Sequence, residues 1–138
     1  MWSATAVVPA TPRDVAAFVL RVRDLPTWNP AISRVRTTDE SATVGRIYDA
    51  RIRGVIRARL TITSATPDEV TYVLEGRGFR ESGSWAFRAT AGGGTIVVHR
   101  FEHGGAILRH LDNAFSEVAA WRVGRLRAVF VTRGQTVP

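Results

Sequence analysis

The sequence contains no cysteine and no lysine, so all 19 of its basic residues are arginines. Without cysteine the chain forms no disulfide, and thiolate catalysis, zinc ribbons and iron–sulfur clusters are excluded. The longest purely apolar run, Val15–Leu20, is far too short to cross a membrane. The N-terminus lacks a basic segment followed by an apolar one, so we expect no secretory signal and a cytoplasmic location.

The composition is that of one folded domain. The chain has 138 residues, of which 45% are hydrophobic and 22% charged, and this is enough to bury a sizeable core. We therefore expect a single domain over residues 1–138. The net charge of +7 is spread from Arg13 to Arg133. This charge permits an acidic partner, whereas a nucleic-acid binder usually concentrates its basic residues on one element, so we do not expect nucleic acid.

The first third of the chain predicts a strand followed by two short helices. Trp2–Val8 is apolar and β-prone, as expected of a strand. Thr11 is a favourable helix N-cap and Pro12 suits the first helical position, so a helix is expected from there to before Pro26. A second short helical turn is expected around Thr27–Ile32.

From Gly45 onward, apolar and polar residues alternate with a period of two, which predicts antiparallel strands with one buried face. The glycines at 92–94 predict a hairpin turn before a last strand, Thr95–His103. A long amphipathic helix is expected from Ile107 to about Arg133. Its apolar stripe comprises Leu108, Leu111, Phe115, Ala119, Val123, Leu126 and Phe130.

Several motifs occur here in a specific order. They are the opening VPATPRDV at 8–15, the tryptophan-containing DLPTWNP at 24–30, FRA at 87–89 with GGT at 93–95, and the long terminal helix. This order resembles the START/Bet v 1-like (SRPBCC) superfamily and, within it, the polyketide cyclase/dehydrase-like group. The resemblance implies an α+β helix-grip fold, in which a curved antiparallel sheet wraps around the long C-terminal helix.

The resemblance also implies a function class. Members hold a hydrophobic cavity between the sheet and the long helix, and they include aromatase/cyclases and lipid or hormone carriers. We therefore expect a polyketide cyclase/dehydrase-like protein, a lyase- or isomerase-type activity without a metal or organic cofactor. It would bind a hydrophobic oxygenated molecule, such as a polyketide intermediate, and promote its cyclisation or dehydration. A non-catalytic carrier or sensor, and a basic interaction module for an acidic protein, remain open alternatives.

The last predicted strand supplies the leading catalytic candidates. Alternation places Arg100 and Glu102 in solvent, so His99 and His103 should point inward with Phe101. His99 is a candidate general acid or base, because the ordinary pKa of histidine lies near neutrality. The alternative is a buried neutral histidine with one hydrogen bond. Four residues along a strand separate the two histidines by roughly 13 Å, which excludes one shared zinc ion.

Three further residues are candidates for proton transfer. Tyr48 and Tyr72 should face inward, where a phenol can donate to a ligand carbonyl. Glu81 has the parity of Trp85 and would point inward to pair with a histidine, unless a bulge at Gly83 turns it outward. The expected ligand-binding residues are Trp28, Trp85, Phe101, Leu111 and Phe115, with plain core packing as the alternative.

Two arginine features complete the prediction. Aromatase/cyclases of this group carry a cavity arginine on the strand that here ends Thr61–Ala65, and this stretch has none. Its absence weakens the expectation of ring aromatisation.

The polar face of the first hairpin carries four arginines at 51, 53, 57 and 59. An acidic partner, in a polyketide pathway an acyl carrier protein, would relieve their repulsion; a simple solvated face is the alternative.

Overall fold

One antiparallel sheet organises the molecule. The computed structural model describes residues 1–105 and 117–135. The sheet is curved and its strands lie in the order β1-β7-β6-β5-β4-β3-β2. The strands are β1 (Trp2–Val8), β2 (Ile32–Arg36), β3 (Ile47–Ile52), β4 (Ile56–Ala65), β5 (Glu69–Gly76), β6 (Phe79–Ala89) and β7 (Thr95–Gly104).

The helices lie between β1 and β2 and at the end of the chain. Helix α1 spans Pro12–Val19, and the Asp14 N–H donates to the Thr11 side chain at its N-terminus, 3.2 Å away. A 3₁₀ helix spans Val22–Thr27 and α2 spans Val118–Gln135. The cap and first-turn proline predicted from the sequence are thus confirmed. In the described ranges, no helix is both long enough and apolar enough to span a bilayer.

The core lies between one face of the sheet and the helices. Helix α2 packs against β1 and β7, while α1 packs against β5 and β6. The predicted stripe of α2 is confirmed over its described part, where four side chains are buried: Ala119, Val123, Leu126 and Phe130. Complete burial of a leucine-sized side chain such as Leu126 contributes about 1.5–3 kcal/mol. This packing fixes which residues of α2 face the interior of the sheet.

Two sequence expectations about local structure are corrected. The second short helix forms earlier than expected, as the 3₁₀ helix Val22–Thr27 with Pro26 inside it, and α1 ends at Val19 rather than just before Pro26. After Thr27 the chain turns, and the Asn29 side chain accepts a hydrogen bond from Ala31 N–H. Strand β2 follows directly and was not predicted. It is short, and its register against β3 shifts between Ile32 and Arg34, which removes the regular alternation that identifies a strand.

The glycine cluster forms the predicted hairpin turn between β6 and β7. Thr90 N–H donates to Gly94 O at 2.9 Å, and Gly93 adopts a φ of +87°. A residue with a side chain is strained at that φ, which explains the glycine. The turn sets the register of β7 against β6, and this register determines which side chains of the last strand face inward.

Candidate functional site

Adjacent strands bring four of the predicted polar residues together in the interior. In the register of β6 against β7, Glu81 lies opposite His103 and Trp85 lies opposite His99. No register shift occurs in β6, so the bulge considered at Gly83 does not form. Glu81 therefore points inward and is only 4% exposed. Tyr72 reaches the same place from β5.

A residue that the sequence analysis did not select completes the group. Arg122 of α2 is 3% exposed, and its guanidinium donates to both carboxylate oxygens of Glu81, Nη1 to Oε2 at 2.9 Å and Nη2 to Oε1 at 3.2 Å. The Tyr72 hydroxyl donates to Glu81 Oε2 at 2.5 Å, and His103 Nε2 lies 2.8 Å from Glu81 Oε1. We call Tyr72, Glu81, His99, His103 and Arg122 the interior network.

His99 occupies a defined tautomer within this network. Its Nδ1 lies 3.0 Å from Ser84 O, and because a carbonyl only accepts, Nδ1 carries the proton. Nε2 therefore accepts from Arg122 Nη1, 3.3 Å away. Burial, together with the charge of Arg122, lowers the pKa of His99 to about 3. The near-neutral pKa expected from the sequence is wrong for this environment, and the alternative of a buried neutral histidine describes it.

The charges of the other groups follow from the same contacts. Burial acts to raise the pKa of Glu81, but the charge of Arg122 and the hydrogen bonds of the network outweigh it and hold that pKa well below its usual range. Burial and the negative charge of Glu81 raise the pKa of Tyr72 well above the usual value of tyrosine. At neutral pH the interior thus holds a carboxylate, a guanidinium and a neutral phenol.

The network borders a small internal cavity of about 20 Å³. Apolar side chains form most of its wall, and the polar and aromatic part comes from Asn29, Tyr72, Glu81, Trp85 and Arg122. Such a volume accommodates about one water molecule. One N–H of the network faces no partner: among the described residues, no acceptor lies within hydrogen-bond distance of the buried Arg122 Nε.

The predicted aromatic residues occupy two layers. Trp85 lines the cavity and stacks on His99, with ring centroids 3.7 Å apart. Trp28 is 1% exposed and packs edge-on against Trp85 at 5.2 Å, and Phe101 lies beneath the Arg122 guanidinium at 4.7 Å. Trp28 and Phe101 thus support the residues of the wall. Leu111 and Phe115 lie outside the described residues.

Tyr48 does not join the network. It is buried as expected, but its hydroxyl donates to Asp39 Oδ2 and accepts from Thr43 N–H, each at 2.7 Å. Strand β3 is separated from β7 by three other strands, so residues of the same parity on the two strands do not meet. The expectation that Tyr48 acts beside His99 is therefore corrected.

A sequence signal for Arg122 did exist. It lies three residues after Ala119 and four before Leu126, so it falls on the buried stripe of α2. A charged residue on such a stripe is buried only with a partner. Glu81, the inward-facing carboxylate of β6, is that partner.

Comparison with solved structures places this architecture in the class of helix-grip proteins. A START superfamily protein from Mycobacterium smegmatis matches with a TM-score of 0.66 at 14% identity, covering 95% of this chain and 97% of that one. Ara h 8.0201 matches with a TM-score of 0.67 at 14% identity, with the same coverage. The di-domain ARO/CYC StfQ, from the steffimycin biosynthetic pathway, matches with a TM-score of 0.70 at 14% identity. This chain is covered to 98% and spans 51% of StfQ.

The family follows from the sequence match. Residues 2–133 match the model of the family described as polyketide cyclase / dehydrase and lipid transport. The chain belongs to this family, and the START/Bet v 1-like resemblance and the helix-grip fold predicted from its motifs are confirmed. A comparison with curated protein sequences finds no match.

Proposed function

We propose that the protein binds a hydrophobic, oxygenated small molecule between the sheet and α2 and promotes its cyclisation or dehydration. One observation carries this proposal: the buried Arg122 lines the cavity, and its Nε–H has no acceptor among the described residues. A ligand carbonyl is a suitable acceptor for that N–H. The family and the likeness to an ARO/CYC protein support the kind of chemistry.

Arg122 supplies from α2 the positive charge that the Thr61–Ala65 stretch of β4 lacks. Its Nη1 and Nη2 are engaged by Glu81 and His99, which hold the guanidinium plane in place. The remaining Nε–H polarises a bound carbonyl and stabilises the alkoxide that its oxygen becomes when an enol carbon of the ligand adds to it. Glu81 and His99 are in this scheme positioning residues.

The titratable groups of this site differ in their strength as acids and bases. The raised pKa of Tyr72 keeps its phenol protonated. Its single O–H donates to Glu81 Oε2, so it has to turn away from Glu81 to donate to a ligand oxygen or to a departing hydroxyl group. The pKa values of Glu81 and His99 are both lowered, which makes each a weak base. Rate enhancement therefore rests mainly on holding the reactive conformer and on the charge of Arg122.

Ligand entry requires that the wall move. A cavity of about 20 Å³ is far smaller than the ~300–1,000 Å³ typical of small-molecule sites. Trp85 lines the cavity and Trp28 packs against it, so their emission reports a ligand that separates them.

The test is a fluorescence titration with a planar polyphenol in a Trp2→Phe/Trp121→Phe background, which leaves the two interior tryptophans as reporters. We expect saturable quenching that Arg122→Lys weakens about tenfold or more, since a charged hydrogen bond is lost. Arg127→Lys is the matched control, because Arg127 lies on the same helix and donates outward to Val7 O. Equal affinities in the two variants would contradict a ligand at Arg122.

Catalysis is tested separately with a synthetic linear triketone, whose cyclised product is followed by its ultraviolet absorbance. We expect Arg122→Lys to reduce the rate at saturating triketone, and Arg127→Lys to leave it unchanged.

The lack of a strong base among the described cavity residues favours one second function, a non-catalytic carrier of the same ligand class. Saturable binding with no acceleration over buffer would assign that function.

A further inference from the structure

Two neighbouring rows of charged residues cross the outer face of the sheet. In the first row each residue lies directly opposite the next one on the neighbouring strand. The row runs in the order Arg36, Asp49, Arg59, Glu75 and Arg80. Positive and negative residues alternate across five strands, and we call this the alternating row. Each arginine in it faces a carboxylate on an adjacent strand, which is a favourable cross-strand arrangement.

The second row has no such compensation. Arg34 lies opposite Arg51, and Arg51 lies opposite Arg57, so three arginines line up on β2, β3 and β4. We call them the arginine row. Within the described ranges, neither row contains an ion pair, so the rows differ in the sign of the residues that face each other across the strands. Like charges directly opposite each other destabilise a sheet, and a bound anion removes that repulsion.

The arginine row lines a recess that suits a small anion. The recess has a volume of about 330 Å³, and Arg36, Asp49 and two alanines complete its wall. Neighbouring strands lie about 4.8 Å apart, so the three side chains are rooted along roughly 10 Å. The guanidinium fork matches phosphate oxygens bidentately. Three forks along this length suit an anion that carries more than one phosphoryl group.

We propose that the arginine row binds a small organic or inorganic anion with two or more phosphoryl groups. The site is separate from the interior network, because the recess and the internal cavity share no lining residue. An extended acidic protein surface or a nucleic acid fits less well. Either would also cover the part of the alternating row that lies beyond the recess, where the carboxylate of Glu75 repels it.

The experiment compares two arginines on one strand. Arg57→Gln removes a member of the arginine row, and Arg59→Gln, two residues along β4, removes a member of the alternating row. Binding of inorganic pyrophosphate is measured by calorimetry in 0.15 M salt. We expect Arg57→Gln to weaken binding about tenfold or more, because charge-assisted bonds are lost. Arg59→Gln should retain most of the affinity.

Stability without ligand gives a second, independent readout. Arg57→Gln should raise the midpoint of thermal unfolding, because it relieves the repulsion by Arg51. Arg59→Gln should lower that midpoint, because it removes a partner of both Asp49 and Glu75. Pyrophosphate should raise the midpoint of the wild type and of Arg59→Gln, and it should raise that of Arg57→Gln much less.

Other outcomes overturn the proposal or refine it. Equal losses of affinity in the two variants, or the same stabilisation by sodium chloride at matched ionic strength, would show only general screening and overturn it. Binding of polyglutamate or of a DNA duplex that depends on Arg57, with none of pyrophosphate, would replace it with a macromolecular interface. Tighter binding of a nucleoside diphosphate than of pyrophosphate supports an organic ester as the ligand, and equal binding supports the bare anion.

Discussion

The imidazole of His99 and the indole of Trp85 lie face to face, with their centroids 3.7 Å apart and their planes inclined by 13°. The two residues are cross-strand partners, so the sheet itself aligns the rings. The stack covers one face of the imidazole, while Ser84 O and Arg122 occupy its two nitrogens. His99 is thereby held as one neutral tautomer in a position where protonation would place a second positive charge beside Arg122.

This geometry predicts that His99 does not titrate in the range usual for histidine. Its pKa is lowered from 6.5 to about 3, so in the folded state it stays neutral at pH 5. In ¹⁵N-resolved spectra of the ring nitrogens, Nδ1 should carry the proton and the His99 signals should stay unchanged from pH 8 to about pH 4.5. A midpoint between pH 6 and 7 for His99 would contradict the arrangement.

The same lowered pKa makes stability depend on pH. Between the folded pKa of about 3 and the unfolded value of 6.5, the unfolded chain binds the proton and the folded chain does not. The contribution of His99 to the free energy of unfolding is therefore fully present above pH 6.5. It falls as the pH decreases, by about 2 kcal/mol between pH 7.5 and pH 5. The difference between wild type and His99→Asn in urea unfolding isolates this contribution, since other groups titrate in both.

The ion pair of Glu81 with Arg122 should show strong coupling. Glu81→Leu leaves a buried guanidinium without its carboxylate, and such a change destabilises by about 3–5 kcal/mol. The double variant Glu81→Leu/Arg122→Met removes both charges and should be more stable than Glu81→Leu alone. Urea unfolding of the wild type, both single variants and the double variant measures the coupling energy, expected at about 1–3 kcal/mol. Additive effects of the two substitutions would exclude a direct pair.

The position of Tyr72 depends on a glycine on the neighbouring strand. Gly83 is the cross-strand partner of Tyr72, and a Cβ at Gly83 would lie 2.6 Å from the Tyr72 hydroxyl oxygen and 2.7 Å from Arg100 O. Gly83→Ala should therefore destabilise by about 1–3 kcal/mol and displace the phenol from Glu81.

The control for that change is Gly104→Ala at the end of β7. A Cβ there meets no atom within 4 Å, so its effect on stability should be much smaller. Thermal unfolding compares the two variants, and near-ultraviolet circular dichroism reports the environment of the tyrosine. If both variants unfold at the same temperature, Gly83 does not position Tyr72.

The sequence predicted those features of the site that depend on the alternation of strands. Parity alone placed His99, His103 and Glu81 inward, because β6 and β7 pair without a register shift. It did not reveal that His99 is neutral, because the low pKa arises from burial and from Arg122, a residue distant in the chain. Parity also grouped Tyr48 with Tyr72, although strand order separates them.

For the fold as well, the sequence predicted the features that depend on local signals and missed those that depend on residues distant in the chain. The cap at Thr11, the hairpin turn at Gly93 and the stripe of α2 are local signals, and each was found in the structure. Strand β2 was missed because its register shift interrupts the local pattern and pairing with β3 defines it. Arg122 was missed because its burial depends on the ion pair with Glu81, which is distant in the chain and faces it only in the folded core.

The two outer strands of the sheet determine how the protein behaves when it is concentrated. Strand β2 has five residues, an irregular register and outward-facing arginines, all of which hinder pairing with a strand of another molecule. At the opposite edge, Arg127 of α2 donates to Val7 O of β1 at 3.1 Å and so occupies a backbone acceptor. Both edges of the sheet thus carry a feature that hinders the edge-to-edge pairing from which fibrils grow.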